Sequence, residues 1–187
     1  EFEKVATEMI AQKKHADYMR QALEEYHQYL AFMDGVFLKE TKGQIFTIRA
    51  TYRQQKQLWR EMEISGTQTL ADLASAIIES MGWVEDHLHG FWFPDRRRNR
   101  VYSTYGIYHK DMEDDPHPTF KTKSVLISNI DWKKYPVLGF VFDFGDGHEF
   151  DVQVKSMKDQ HSSDKKTNFP RLVDQRGVAP EQYPTYE

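Results

Sequence analysis

Histidine and carboxylate side chains are the groups of metal and acid–base chemistry, and here they gather in two short runs. The first is Trp83-x-x-x-His87-Leu88-His89-x-Phe91, and the second is Phe142-Asp143-Phe144-Gly145-Asp146-Gly147. His87 and His89 stand two apart on an expected strand and so project to one face, a spacing that can bind a metal. With Asp143 and Glu149 they would make a hydrolytic metal site or a non-haem iron site. The competing reading makes both histidines hydrogen-bonding partners where a helix meets a sheet, since Phe91 and Phe93 share their parity. No third histidine completes a metal set, and the structural reading is preferred, with no cofactor expected.

The second run sets a hairpin register. A two-residue Asp146-Gly147 turn would oppose apolar to polar residues along the ladder. A three-residue loop, Gly145-Asp146-Gly147, pairs Phe142 with Phe150, Phe140 with Val152 and Leu138 with Val154, with Gly147 left-handed. That register puts Asp143 opposite Glu149, a like-charge pair unfavourable by up to about 1 kcal/mol. Such a pair calls for a cation or a shared proton. Arg60 lies on the apolar parity of Leu58-x-Arg60-x-Met62-x-Ile64, and a buried guanidinium needs a partner. Asp143 or Asp146 could supply it; the alternative is that Arg60 snorkels to the edge of the sheet.

A third group is Arg96-Arg97-Arg98-Asn99-Arg100, beside Trp92 and Tyr102. A basic loop with flanking aromatics can bind nucleic-acid phosphates while the rings stack on bases. A solvated hairpin tip is the preferred alternative, because the chain carries a net charge of −4 with pI ≈ 6.1 and lacks the positive field that phosphate binding needs. Asp143-Phe144-Gly145 spells a kinase metal-binding triplet, but the glycine-rich loop, strand lysine and catalytic loop are missing. Phosphate cradles, nucleophile elbows and His-Glu-x-x-His helices are also missing.

The elements that must position these residues follow from periodicity. Val5, Met9, Ala16, Met19, Leu23, Tyr26, Leu30 and Met33 recur at near-heptad steps without Gly or Pro, which predicts helix over Val5 to Met33. Unbroken, it would be roughly 43 Å long; a break near Asp17, which could cap a second helix, is the alternative. Asp34-Gly35 ends it. Ile45 to Tyr52 and Leu58 to Ile64 read as a hairpin. Thr69 is an N-cap with Asp72 three residues on, and Leu70, Leu73, Ala74, Ile77, Ile78 and Met81 form one stripe ending at Gly82. Leu88 to Phe93 is an expected strand, with Val101 to Tyr105 returning beside it. Residues 106–123 read as a long loop and Val125 to Ile130 as a short element. Val137 to Phe144 and His148 to Lys155 read as strands, and the tail from Met157 as a polar surface wrap. This order predicts an α+β fold, a mostly antiparallel sheet with one crossing helix (β-grasp-like), plus an N-terminal helical extension. Residues 1–40 form the helical segment and 41–187 the α+β domain.

The 187 residues are 39% apolar and 14% aromatic, enough for one substantial core. The absence of cysteine excludes disulfides, thiolate nucleophiles and cysteine-ligated zinc. No apolar run reaches membrane-spanning length. Glu1-Phe2-Glu3-Lys4 has neither an initiator methionine nor a signal-peptide core, so the reading expects a start inside a longer protein and a cytoplasmic location.

Taken together, Leu58-Trp59-Arg60, Thr69-Leu70-x-x-Leu73, Gly82-Trp83-x-x-x-His87-Leu88-His89-x-Phe91 and Phe142-Asp143-Phe144-Gly145-Asp146 resemble the plasmid Ri open-reading-frame-three-like family, of plasmids and insertion-element passengers. The resemblance runs from about Gln44 to Glu187 and includes Phe169-Pro170-Arg171 and Ala179-Pro180-Glu181-Gln182-Tyr183-Pro184. It implies a compact α+β domain and no defined activity. After the Asp-Phe-Gly-Asp run the family commonly has a tryptophan and, two residues later, a histidine; here those positions hold His148 and Phe150. The resulting expectation is a non-enzymatic interaction domain in which Arg60, His87, His89, Asp143 and Asp146 build a polar network. An unknown protein partner, or a second copy, would dock on the N-terminal helix. The alternatives are a metal-dependent phosphodiester hydrolase using His87, His89, Asp143 and Glu149, or a nucleic-acid module using Trp92, Arg96, Arg97, Arg98 and Arg100.

Overall fold

The computed structural model describes residues 2–39, 43–94, 105–112, 120–161, 164 and 167–183. The N-terminal pattern forms two helices, α1 (Phe2–Ala11) and α2 (Ala16–Asp34). The chain turns between them, where Lys13 and His15 take left-handed conformations. The turn falls where polar Gln12-Lys13-Lys14-His15 interrupts the apolar seam. Asp17 does not cap α2; it lies in the first turn and pairs with Arg20 at 2.7 Å. The second helix runs back along the first, bringing His27 Nε2 to 2.6 Å from Glu3 and the Phe2 ring onto Tyr26. Farther along, Tyr29 and Met33 enter the main core. The amphipathic stripe of α2 thus packs on its own chain, and Gly35 closes the helix through its N–H to Phe32 O and Met33 O.

Seven strands form one antiparallel sheet. They are β1 (Gln44–Tyr52), β2 (Trp59–Ser65), β3 (His89–Trp92), β4 (Gly106–Tyr108), β5 (Val137–Phe142), β6 (His148–Asp159) and β7 (Arg171–Arg176). Their order is β4-β3-β5-β6-β1-β2-β7, and every neighbouring pair is antiparallel. Alternation drives β1 and β2: Phe46, Ile48, Ala50, Met62 and Ile64 are buried, while Thr47, Arg49, Glu61 and Glu63 stand on the other face. Helix α3 (Leu70–Ser80) starts at Thr69 with a reciprocal capping box to Asp72 and buries Leu70, Leu73, Ala74, Ile77 and Ile78. Two 3-10 turns, Thr122–Ser124 and Ile127–Asn129, carry Ile127 into the same core.

Three sequence expectations change here. The partner of β3 is Gly106–Tyr108, inside the stretch expected to be loop; residues 101–104 lie outside the described residues. The tail contributes β7, paired with β2, where a wrap was expected. All six β7 residues are exposed, so the strand shows no apolar alternation to read. The β5–β6 register is also offset by two residues: Phe142 faces His148, Phe140 faces Phe150 and Leu138 faces Val152. A shift of two preserves parity, so the same aromatic side chains remain inside.

Candidate functional site

The loop between β5 and β6 begins at Asp143, which takes φ 55. Aspartate tolerates this left-handed conformation because its short side chain bonds the neighbouring backbone. Here Asp143 Oδ1 accepts from Gly145 N at 2.9 Å and Asp146 N at 3.3 Å, and Gly147 N donates to Asp143 O at 2.7 Å. Asp143 N donates to Leu88 O, fastening the loop beside the start of β3. Asp143 therefore does not oppose Glu149, whose cross-strand partner is Val141. Glu149 and Asp151 meet Arg53, at 4.0 and 2.8 Å. The cation on that face comes from the β1–β2 connection, and not from Arg60.

The nearly buried Arg60, 4% exposed, binds no carboxylate among the described residues. Its Nε donates to Ser80 O at 2.9 Å, and its Nη1 to Trp59 O, Arg176 O and Gly177 O at 3.0, 3.0 and 3.3 Å. It thereby joins the C-terminus of α3, where helix carbonyls are unpaired and partly negative, to β2 and the end of β7. Burial lowers the guanidinium pKa, since those carbonyls replace water only in part. The expected pairs with Asp143 and Asp146 are not made; Asp146 gives its backbone N–H to the turn.

The two histidines have different surroundings. His87 precedes β3, is about half exposed, and places Nε2 3.5 Å from Asp143 Oδ2 and 3.9 Å from Asp86 Oδ1. His89 is 1% exposed, and its Nε2 meets Thr122 Oγ1 at 3.0 Å. Its buried Nδ1 has no hydrogen-bond partner among the described residues and lies 3.8 Å from Glu85 Oε1. Burial first, then the neighbouring His109, lowers the His89 pKa to about 3. Glu85, His89 and Thr122 stand in the order of an acid–histidine–hydroxyl relay. The hydroxyl is itself 1% exposed, and a histidine held neutral so firmly is a poor base near neutral pH. Among the described residues no three or more His, Asp or Glu groups converge as for a metal ion. His87, His89, Asp143 and Glu149 are not brought together as one site, and neither do the five expected polar residues form a single network.

What does converge is a set of contacts between the tail and the residues around Trp83 and the start of β6. His148 is 4% exposed and lies under Trp83, with ring centroids 4.2 Å apart. Its Nε2 lies 2.9 Å from Gln182 O; a carbonyl only accepts, so Nε2 carries the proton and Tyr52 Oη donates to Nδ1 at 3.2 Å. Trp83 Nε1 donates to Pro180 O at 2.9 Å. Gln182 pairs with both backbone groups of Val84, accepting from its N–H at 2.7 Å and donating to its carbonyl at 2.8 Å. Tyr183 Oη reaches Asp86 Oδ1 and Oδ2 at 2.7 and 2.6 Å. That bond holds Asp86 below the usual carboxylate range and pushes Tyr183 up to about 12. Tail contacts of this kind leave no periodicity in the sequence; the run Ala179-Pro180-Glu181-Gln182-Tyr183 was legible only as part of the family resemblance.

Arg96, Arg97, Arg98 and Arg100 lie outside the described residues. Trp92 is 5% exposed, and its ring covers Gly90 and Gly106 on the sheet face opposite Phe91 and Phe93. It is packed against glycine backbone and does not offer a face for base stacking.

Sheet, capped helix and the Asp-Phe-Gly-Asp turn define an α+β domain built mostly of antiparallel sheet. The chain belongs to the plasmid pRiA4b ORF-3-like protein family, whose pattern matches residues 44–183. Among solved structures it is similar to the protein of unknown function MM3350 from Methanosarcina mazei Go1. That likeness covers 75% of this chain and 73% of the other, at 19% identity and a TM-score of 0.58, and shows the fold alone. No curated protein matches the chain. Among the described residues no helix is long and apolar enough to cross a membrane.

Proposed function

We propose that the chain is a non-enzymatic binding or interaction domain of a mobile-element-associated family, acting in the cytoplasm on a β-grasp-like frame with α3 as its crossing helix. The supporting observation is how three buried polar groups, Arg60, His148 and Asp143, are bonded. Arg60 is taken up by four carbonyls, His148 by Tyr52 and Gln182, and Asp143 by its own turn. A catalytic constellation needs unsaturated groups converging on one reacting atom, whereas these residues hold elements together. His87 stands 3.5 Å from Asp143, Asp146 gives its backbone N–H to the same turn, and His89 bonds Thr122. The helical hairpin α1–α2, with Val5 and Tyr18 exposed, is the surface for a partner or a second copy.

The test is metal content together with phosphodiesterase turnover of natively purified protein. The expected result is no stoichiometric divalent ion and no turnover. A one-to-one divalent ion lost in both His87→Ala and Asp143→Ala, with turnover lost alongside it, would establish the hydrolase reading instead.

A further inference from the structure

The tail after β7 is attached as a bound peptide would be. Residues 177–183 form no helix or strand, and β7 ends at Arg176, just before Gly177, which takes φ 81. Two main-chain carbonyls of the tail, Pro180 O and Gln182 O, accept from two ring N–H groups, those of Trp83 and His148. Gln182 makes a two-way bond to Val84, and Tyr183 is read by a carboxylate. Side chains that satisfy alternate main-chain carbonyls, with one carboxylate selecting a hydroxyl, are a means of recognising peptide.

The two sides of this contact differ in rigidity. Trp83 lies three residues past α3 and packs on Tyr52, Phe142 and Phe150, while His148 opens β6 and packs on Trp83, Tyr52 and Phe142. On the tail side only Ala179 packs against the core; Glu181 and Tyr183 are exposed and Gln182 is half-buried. A segment held mainly by surface hydrogen bonds opens at low free energy, while the surface beneath keeps its shape.

We propose that Trp83, Val84, Asp86 and His148 form a peptide-binding surface, that residues 179–183 are its tethered ligand, and that the partner is a peptide carrying the same Pro-x-Gln-Tyr chemistry. This rests on the reading of the chain as an interaction domain and names the surface it uses. The tether gives the tail a high effective concentration, so a peptide in trans binds well only when the tail's own hold is weakened.

The experiment uses the full chain and a fluorescent peptide of sequence acetyl-Val-Ala-Pro-Glu-Gln-Tyr-amide, followed by anisotropy. The double variant Gln182→Ala/Tyr183→Phe changes side chains outside the core and loosens the tail. It is expected to bind the peptide at least about tenfold more tightly than the parent, about 1.4 kcal/mol. Adding Asp86→Ala removes that gain, and a peptide with Tyr replaced by Phe binds more weakly to the double variant. Hydrogen exchange on the parent supplies a measurement independent of any variant: the Trp83 indole N–H, bonded to Pro180 O, exchanges far faster than the amides of β6. Equal binding by parent and double variant, no effect of Asp86→Ala, or a Trp83 indole N–H as protected as the β6 amides would each overturn the proposal. Absence of peptide binding leaves the interaction-domain reading standing, because that reading fails only through the metal and turnover assay.

Discussion

At Gly90 a Cβ would fall on the Trp92 ring, within 2.7 Å of its Cζ3. Trp92 can cover β3 and β4 only because the residue beneath it has no side chain. Gly90→Ala is therefore expected to cost about 1–3 kcal/mol in chemical denaturation, as overpacking does in a close-packed interior. His89 carries a second residue-scale prediction, in which the sign is fixed by burial. Its folded pKa, about 3, lies below the unfolded value near 6.5, so the unfolded chain binds the extra proton between those limits. The contribution is complete above pH 6.5 and is lost as pH falls toward 3, at about 1.4 kcal/mol per pH unit. His89→Leu should flatten the dependence of stability on pH between 6.5 and 5 by one proton, measured by urea titration. An unchanged slope would mean that His89 is protonated in the folded state. Neither effect is legible in the sequence: His89 shares its run with His87, yet one is sealed on Thr122 and the other stands beside Asp143.

At the scale of elements, Arg60 joins α3, β2 and β7 through carbonyl groups, where sequence parity predicted a carboxylate. Parity said correctly that the side chain points inward, because alternation along β2 fixes the face. It could not name the acceptors, since Ser80 O and Arg176 O reach Arg60 only after helix and tail have docked. Arg60→Ala should cost about 2–4 kcal/mol by leaving helix-end carbonyls without their charged donor. Asp143→Ala weakens the β5–β6 turn, and the two losses should add to within about 0.5 kcal/mol, because the residues share no bond. A double-mutant cycle by denaturant unfolding measures this; a coupling above about 1 kcal/mol would show one network after all. The hairpin of α1 and α2 follows the same division. Helical periodicity was read correctly, but the reversal at 12–15 brings Glu3 to His27 and Phe2 to Tyr26, contacts between elements that spacing does not encode.

Across the whole molecule, stability should be graded from the centre of the sheet outward. Strands β1, β5 and β6 are paired on both sides and carry Ile48, Phe140, Phe150 and Val152 at or below 1% exposure. Strand β7 lies at an edge with all six residues exposed, and α1 buries only Ala6. Native-state hydrogen exchange should therefore show β1, β5 and β6 amides opening only with global unfolding, while α1 and β7 amides exchange through smaller openings. Equal protection throughout would show that edge and hairpin are fully cooperative with the core. Edge strand β7 also shows why the tail looked unstructured in sequence. It gains backbone pairing and a Glu63 clamp between Arg171 and Lys158, neither of which requires apolar residues at alternate positions.

Local patterns were sufficient for what depends on local physics. The capped helix at Thr69, the inward faces of β1, β2, β5 and β6, the α+β class and the family resemblance follow from spacing and side-chain type, because hydrophobic periodicity and capping operate within a few residues. Partner choice was decided by tertiary structure. A two-residue shift in the β5–β6 register turned Asp143 from a cross-strand charge into the cap of its own turn without altering any buried face. Arg60 found carbonyls, Glu149 and Asp151 found Arg53, and His148 found the carbonyl of Gln182, thirty-four residues away in the chain. Hydrogen bonds and ion pairs select whichever group docking brings within about 3 Å, and that distance is a property of the folded chain alone.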